Sequence, residues 1–208
     1  MGIASDERRA LCDLFDELGP DAPTLCGGWQ TRDLAAHLAV RERRIDAAPG
    51  IVAKPLEAHL QRVQDDYAAK PWRDLVSLVR SGPAWFWPSR IGPIDEVINT
   101  AEYFVHHEDV RRAQPEWAPR EPTPRRDRAV WGALTRAGMV SLRNCSVGVI
   151  VRAPSGRMAT VKRGPNAVTI VGEPGELLLY AFGRDVAQVS FEGDPAAIKA
   201  VQEAGRGI

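Results

Sequence analysis

The chain has 208 residues, 44% hydrophobic and 26% charged, and its 27 basic and 27 acidic side chains give a formal net charge of zero. That length suits one large domain or two small ones, and the balanced charge excludes the basic footprint of a nucleic-acid-binding or membrane-surface protein. With no charged-then-apolar leader, no run of about 18 apolar residues, and three widely spaced cysteines (Cys12, Cys26, Cys145), the expectation is a cytoplasmic protein without membrane spans or a disulfide framework.

Asp6 to Leu18 has the spacing of an amphipathic helix, with Leu11, Leu14, Phe15 and Leu18 on its apolar face. Gly19-Pro20 stops it. The loop from Asp21 to Trp29 is stiffened by Pro23 and loosened by Gly27 and Gly28. Thr31 is the expected N-cap of a second helix, Arg32 to about Ala47, with Asp33 in the first turn where a negative charge suits the helix dipole. The apolar stripe of that helix is Leu34, Leu38 and Ile45. His37 lies about 60° off the stripe, placed to meet a neighbouring helix, as a hydrogen-bonded structural histidine would be. Arg41 lies near the stripe's centre, where it either snorkels to water along its stem or supplies a fixed positive charge inside a cleft.

Leu56, Leu60, Val63 and Tyr67 space like a third helix, broken at Lys70-Pro71 and continued from Trp72 to Arg80. His59 reads as a surface residue. Residues 81–88 form an aromatic-dense turn (Trp85, Phe86, Trp87) expected to pack over the end of a bundle.

The next helical stretch carries most of the chemistry. Ile94, Ile98, Ala101 and Val105 fall within a sector of roughly 60° at helical period, and Glu102, His106 and Asp109 sit on or beside it. His107 points nearly the opposite way. A carboxylate on a core-facing stripe requires a partner: a metal, a cation or a donor network. Glu102 and His106 are spaced i,i+4, one turn apart on one face. By that spacing a single helix can donate two ligands to one divalent ion.

These helical segments, joined by short connections, predict a four-helix bundle over residues 1–114. Residues 115–124 read as a proline-rich linker. From 125 to 208 the pattern predicts a small α+β domain. It begins with a helix from Arg125 to about Asn144 and a strand Val147–Arg152. A turn at Ser155-Gly156 leads to strands Met158–Val161 and Val168–Val171. A helix from about Gly175 to Phe182, a strand Val186–Phe191 and a helix Ala196–Ala204 behind Asp194-Pro195 complete it.

Three runs carry a resemblance. Cys26-Gly27-Gly28-Trp29-Gln30-Thr31-Arg32-Asp33-Leu34-Ala35-Ala36-His37-Leu38 resembles the opening motif of the mycothiol-dependent maleylpyruvate isomerase-like family, within the wider DinB-like group of metal-binding four-helix bundles. Glu102-Tyr103-Phe104-Val105-His106-His107-Glu108-Asp109 resembles that family's second motif. Gly172-Glu173-Pro174 through Leu177, Leu178 and Phe182-Gly183-Arg184 is similar to its C-terminal, sterol-carrier-like domain. The resemblance implies a divalent metal, usually zinc, held by His37, Glu102 and His106, with a position left open for a thiol or water. It also implies Asp109 as an outer-shell orienter or base, Arg184 as a second-domain residue toward a cofactor, and mycothiol as a thiol cofactor acting with a small anionic substrate. In that frame Arg41 holds the substrate's carboxylate, and Cys26, in a loop before the helix, is expected to be dispensable for the metal. The basic cluster Arg41-Glu42-Arg43-Arg44 departs from the family pattern and is similar to a subgroup described only as metal-binding.

Three functions therefore stand as expectations. The first is a metal-dependent, thiol-cofactor isomerase, S-transferase or thiol-conjugate hydrolase. The second is a non-catalytic metal-binding or ligand-sensing module. The third is a structural bundle in which Glu102 and Asp109 pair with Arg41 or Arg44.

Overall fold

Apolar spacing and capping chemistry build the first half of the chain. A computed structural model describes residues 2–44, 46–47, 57–84 and 92–206, the side chains of 92–94 excepted. Helix α1 spans Ile3–Leu18 and ends where Gly19 takes a positive φ of 78°, a conformation that suits glycine. Helix α2 spans Thr31–Arg43. Its N-cap is Gln30 rather than Thr31: the Gln30 side chain and Asp33 close a reciprocal capping box. Thr31 is instead fully buried, its hydroxyl donating to the Gly19 carbonyl at 2.6 Å. Helices α3 (Glu57–Ala68) and α4 (Trp72–Arg80) are the two parts of the expected third helix, interrupted at Lys70-Pro71. Helix α5 runs from Gly92 to Arg112. The aromatic turn expected at 81–88 lies largely outside the described residues, as do Ile45 and Leu56.

Leu11, Phe15, Leu34, Leu38, Leu75, Val79, Tyr103 and Val110, from α1, α2, α4 and α5, share one buried cluster. Each such side chain contributes about 1.5–3 kcal/mol by leaving water. Helix α5 does not present the single core stripe that its spacing predicts. Val97 and Ile98 are exposed, whereas Tyr103, Phe104, Val105, His107, Glu108 and Asp109 are all buried. His107, expected to point away from the interior, is enclosed against α1, its Nδ1 2.8 Å from Glu7 Oε2. On another side the loop before α2 is tied to α5 by the Leu25 amide, which donates to the Asp109 carbonyl at 3.1 Å.

The chain divides into two units, up to Ala118 and from Pro119 onward. In the second, helix α6 (Pro124–Ser141) precedes strands β1 (Val149–Arg152), β2 (Met158–Lys162) and β3 (Val168–Val171). Helix α7 (Pro174–Ala181), strand β4 (Ser190–Glu192) and helix α8 (Pro195–Glu203) follow. The sheet order is β2-β1-β3-β4, with β1 parallel to β3 and the other neighbours antiparallel. Strand β1 begins two residues later than expected. Gly148 and Gly164 meet backbone to backbone there, where a Cβ on Gly148 would lie 2.7 Å from the Gly164 carbonyl. The fourth strand is shorter than expected at 186–191, because the Gln188 amide donates at 2.7 Å to the buried Glu176 carboxylate instead of to a strand neighbour. Asp194 caps α8 through the amides of Ala196 and Ala197.

The chain is thus of mixed α+β class, with a helix-rich N-terminal half and a four-stranded sheet in the C-terminal half. Among the described residues no helix is long and apolar enough to cross a membrane.

Candidate metal centre

The site is assembled from α2, α3, α5 and the loop before α2. Glu102 and His106 stand one turn apart on α5, and His37 reaches them from α2. The Nε2 atoms of His37 and His106 each lie 3.4 Å from Glu102 Oε1. These side chains are 12–18% exposed, so the cluster is nearly enclosed and still within reach of solvent. A distance of 3.4 Å is long for a hydrogen bond, whose usual length is about 2.9 Å. It matches the edge of a tetrahedron: ligands at about 2.0–2.1 Å from a shared zinc lie about 3.4 Å from one another. The donor set, two imidazoles and a carboxylate, also suits such an ion.

The second nitrogen of each imidazole is engaged. His106 Nδ1 lies 3.0 Å from Asp109 Oδ2, and Asp109 is fully buried. A carboxylate on the far nitrogen fixes the tautomer that leaves Nε2 facing Glu102 and raises the basicity of the ring. His37 Nδ1 lies 3.2 Å from the Gln64 amide, which can present either its oxygen or its nitrogen. The Trp29 indole packs on His37 with ring centroids 5.3 Å apart, and the rings of His37 and His106 meet edge-on.

Electrostatics favour the charged forms of Glu102 and His106. Burial opposes a charge on Glu102, but the Arg41 guanidinium and then the two imidazoles outweigh it and keep the carboxyl well below the usual range. Burial likewise opposes a charged His106, and Asp109, Cys26 and Glu102 overcome it, so this imidazole titrates well above an ordinary histidine.

Arg41 reaches back to α5. Its Nε lies 3.3 Å from Glu102 Oε1, and its Nη1 donates to Asn99 Oδ1 at 2.6 Å. The cation expected to receive a substrate carboxylate is therefore already engaged, with a partner that the structural-bundle expectation named. Its neighbours also have local partners. Glu42 is buried against Arg8 at 2.7 Å, Arg43 donates to the carbonyls of Leu78 and Gly82, and Arg44 pairs with Asp46. The run is not a solvated basic patch.

Cys26 lies closer to the cluster than its loop position implies. Although it lies in a loop, its Sγ donates to Asp109 Oδ2 at 3.1 Å and sits 3.6 Å from His106 Nδ1. Cys26, His106 and Asp109 thus form a second candidate ligand group beside His37, Glu102 and His106, with His106 common to both. A tight turn brings the thiol in: the Trp29 amide donates to the Cys26 carbonyl at 2.8 Å, and Gly27 and Gly28 take positive φ values of 36° and 86°. The Cys-Gly-Gly run was the available signal. Gln64 and Asn99 left no signal of their own.

Of the remaining expected residues, His59 is half-exposed and 3.0 Å from Asp46, away from the cluster. Arg184, in the second unit, donates from Nη1 to the Phe182 carbonyl at 2.6 Å, closing the end of α7.

No family model matches the chain, and no curated protein or solved structure matches it either.

Proposed function

We propose that the N-terminal unit binds one divalent metal ion, most simply zinc, through His37 Nε2, Glu102 and His106 Nε2, and that the protein is a metal-dependent enzyme acting with a small-molecule thiol. The observation that carries this reading is the pair of 3.4 Å separations between the two imidazole nitrogens and a single carboxylate oxygen, the spacing of neighbouring ligands on a tetrahedral ion. Three protein ligands leave one position open, as in catalytic rather than structural zinc sites.

Bound there, the ion would lower the pKa of a thiol or water in the open position. The protein's own residues do the rest. Asp109 holds the His106 Nδ1 proton and so aims Nε2. Gln64 sets the orientation of His37, and Trp29 shields that ring from bulk water. Cys26, hydrogen-bonded to Asp109, is a resident thiol at the rim.

The thiol class comes from the resemblance of the Cys26–Leu38 and Glu102–Asp109 runs to the mycothiol-dependent maleylpyruvate isomerase-like family. We extend the same reading to the fold: a DinB-like bundle in the first unit, a sterol-carrier-like domain in the second, and a cytoplasmic location. The order of the two motifs, the first running into α2 and the second on α5, supports the bundle part of this reading. Isomerase or S-transferase chemistry with mycothiol follows as the proposed activity.

A second reading is favoured by one contact, the Arg41–Glu102 pair at 3.3 Å. In it the cluster is a metal-free ion-pair network, or holds a metal without turnover. Elemental analysis of the purified protein separates these readings. About one equivalent of zinc per chain, lost in both His37→Ala and His106→Ala, is the expected result; no metal in the parent protein would favour the network.

A further inference from the structure

On the far side of His37 lies a pocket of about 200 Å³ between α2 and α3, lined by Trp29, Asp33, Ala36, Gln61, Gln64, Asp65 and Ala68. Two of its walls also touch His37. The Trp29 ring packs on the imidazole and Gln64 touches Nδ1, so whatever enters the pocket lies against the candidate centre.

The lining has one sign of charge. Asp33 and Asp65 contribute carboxylates, and among the described residues no arginine, lysine or histidine lines the wall. Asp33 Oδ2 accepts from the Gln30 amide at 2.9 Å, and Asp65 Oδ1 accepts from Gln61 Nε2 at 2.8 Å. Each of these bonds uses one oxygen of its carboxylate. Neither of the two cations described near the wall, Arg32 at the Ala68 edge and Lys70, is paired with Asp33 or Asp65. Arg32 donates to the Ala68 and Lys70 carbonyls with its guanidinium over Trp72, and Lys70 lies over the Tyr67 ring.

An indole flanked by two carboxylates, neither of them paired with a cation among the described residues, is the chemistry that recognises an organic ammonium. The ring's negative face attracts the cation, and the carboxylates add Coulomb attraction that a neutral isostere does not feel. The volume is below the range of about 300–1,000 Å³ for drug-sized ligands, so the pocket takes a group rather than a whole large molecule.

We propose that this pocket is an alkylammonium subsite: it seats a positively charged nitrogen of the substrate beside His37, so that the rest of the substrate reaches the metal centre. The placement of the substrate rests on the metal-centre reading; the recognition of the cation does not.

The experiment is a titration of the full-length protein with choline chloride and, separately, with 3,3-dimethylbutan-1-ol, in which carbon replaces the charged nitrogen. It is followed by the NMR shifts of the Trp29 indole N–H and the Gln64 amide. The quaternary nitrogen cannot ligate a metal and both probes carry the same hydroxyl, so the difference between their affinities reports the pocket. Saturable shifts with choline, at least ten-fold tighter than with the neutral alcohol, are expected. Asp65→Asn, at an exposed position of α3 that tolerates the change, should weaken choline several-fold without altering the alcohol. Equal affinity for the two probes, or no saturable shift with choline, overturns the proposal. Running both titrations in chelator-treated and zinc-loaded protein separates the two readings. Choline binding without any zinc binding sinks the metal centre and keeps the ammonium pocket. Zinc binding without choline selectivity does the reverse.

Discussion

Replacing Arg41 with methionine is expected to tighten zinc binding, not weaken it. In the metal-free protein Arg41 balances Glu102, with Nε 3.3 Å from Oε1, and donates to Asn99 Oδ1 at 2.6 Å. Methionine keeps the apolar stem and deletes both contacts. Asn99 is fully buried, so its orphaned oxygen costs about 1–3 kcal/mol whether or not metal is present. The ion pair is 21% and 18% exposed. Its loss falls between the about 0–1 kcal/mol of a surface pair and the about 3–5 kcal/mol of a broken buried one, or about 1–2 kcal/mol. This second cost applies only without metal. With a dication on Glu102, the guanidinium is a like charge at short range and nothing is lost by removing it. The metal-free variant should therefore unfold in urea about 2–5 kcal/mol more easily, and the zinc-loaded variant only about 1–3 kcal/mol more easily. By linkage the difference appears as a zinc affinity roughly 5–30-fold higher, readable by competition against a chromophoric chelator. Weaker zinc binding, or the same destabilisation with and without zinc, would refute the assignment of Glu102 as a shared ligand.

His107→Ala should keep its zinc and lose stability, by about 1–3 kcal/mol in urea, because Glu7 loses a buried partner at 2.8 Å; loss of the metal would mean that the wrong face of α5 had been chosen. Cys26→Ser is expected to retain about one zinc per chain, since the His37–Glu102–His106 group is untouched. Collapse of occupancy by elemental analysis would move the ion to the Cys26–His106–Asp109 group. A pH effect comes from Glu42, whose carboxyl is pushed above its ordinary 4.5 by burial, with Arg8 only partly pulling it back. A raised carboxyl favours the protonated fold, so its contribution is fully present below about 4.5 and is lost as pH rises from there through the higher folded value. Glu42→Gln should flatten that part of the curve of urea midpoint against pH, and an unchanged slope would assign it to another group.

The helices were legible in the sequence because their apolar residues recur locally, and α1, α3 and α4 fall close to where the spacing puts them. Thr31 and Gln30 show the limit of such reading. Both can cap a helix, and the choice was made by the Gly19 carbonyl, which took the threonine hydroxyl. The fourth strand shows it again, because the amide of Gln188 was claimed by Glu176 from α7. The face of α5 was the larger misreading. A helix covered by α1 on one side and by the loop before α2 on another has no single apolar stripe, and Ile98 could be left outside while Asn99 and Asp109 were buried.

The candidate site divides along the same line. Its local half, Glu102 and His106 at i,i+4, is written in the spacing of one helix. Its other members arrive across 27 residues (Gln64 to His37), 58 residues (Arg41 to Asn99) and 83 residues (Cys26 to Asp109). No period carries information over such separations. What they add is chemical: they decide which nitrogen of each imidazole is left to face Glu102. With Asp109 on His106 Nδ1 and Gln64 on His37 Nδ1, both Nε2 atoms and the Arg41 Nε converge on a single carboxylate oxygen at 3.3–3.4 Å. One oxygen cannot accept three good hydrogen bonds at that length. A cation placed among the nitrogens and that oxygen would satisfy the imidazoles at once and leave Arg41 as a bystander, which is why the sign of the Arg41→Met effect on zinc affinity separates a metal centre from an ion-pair network.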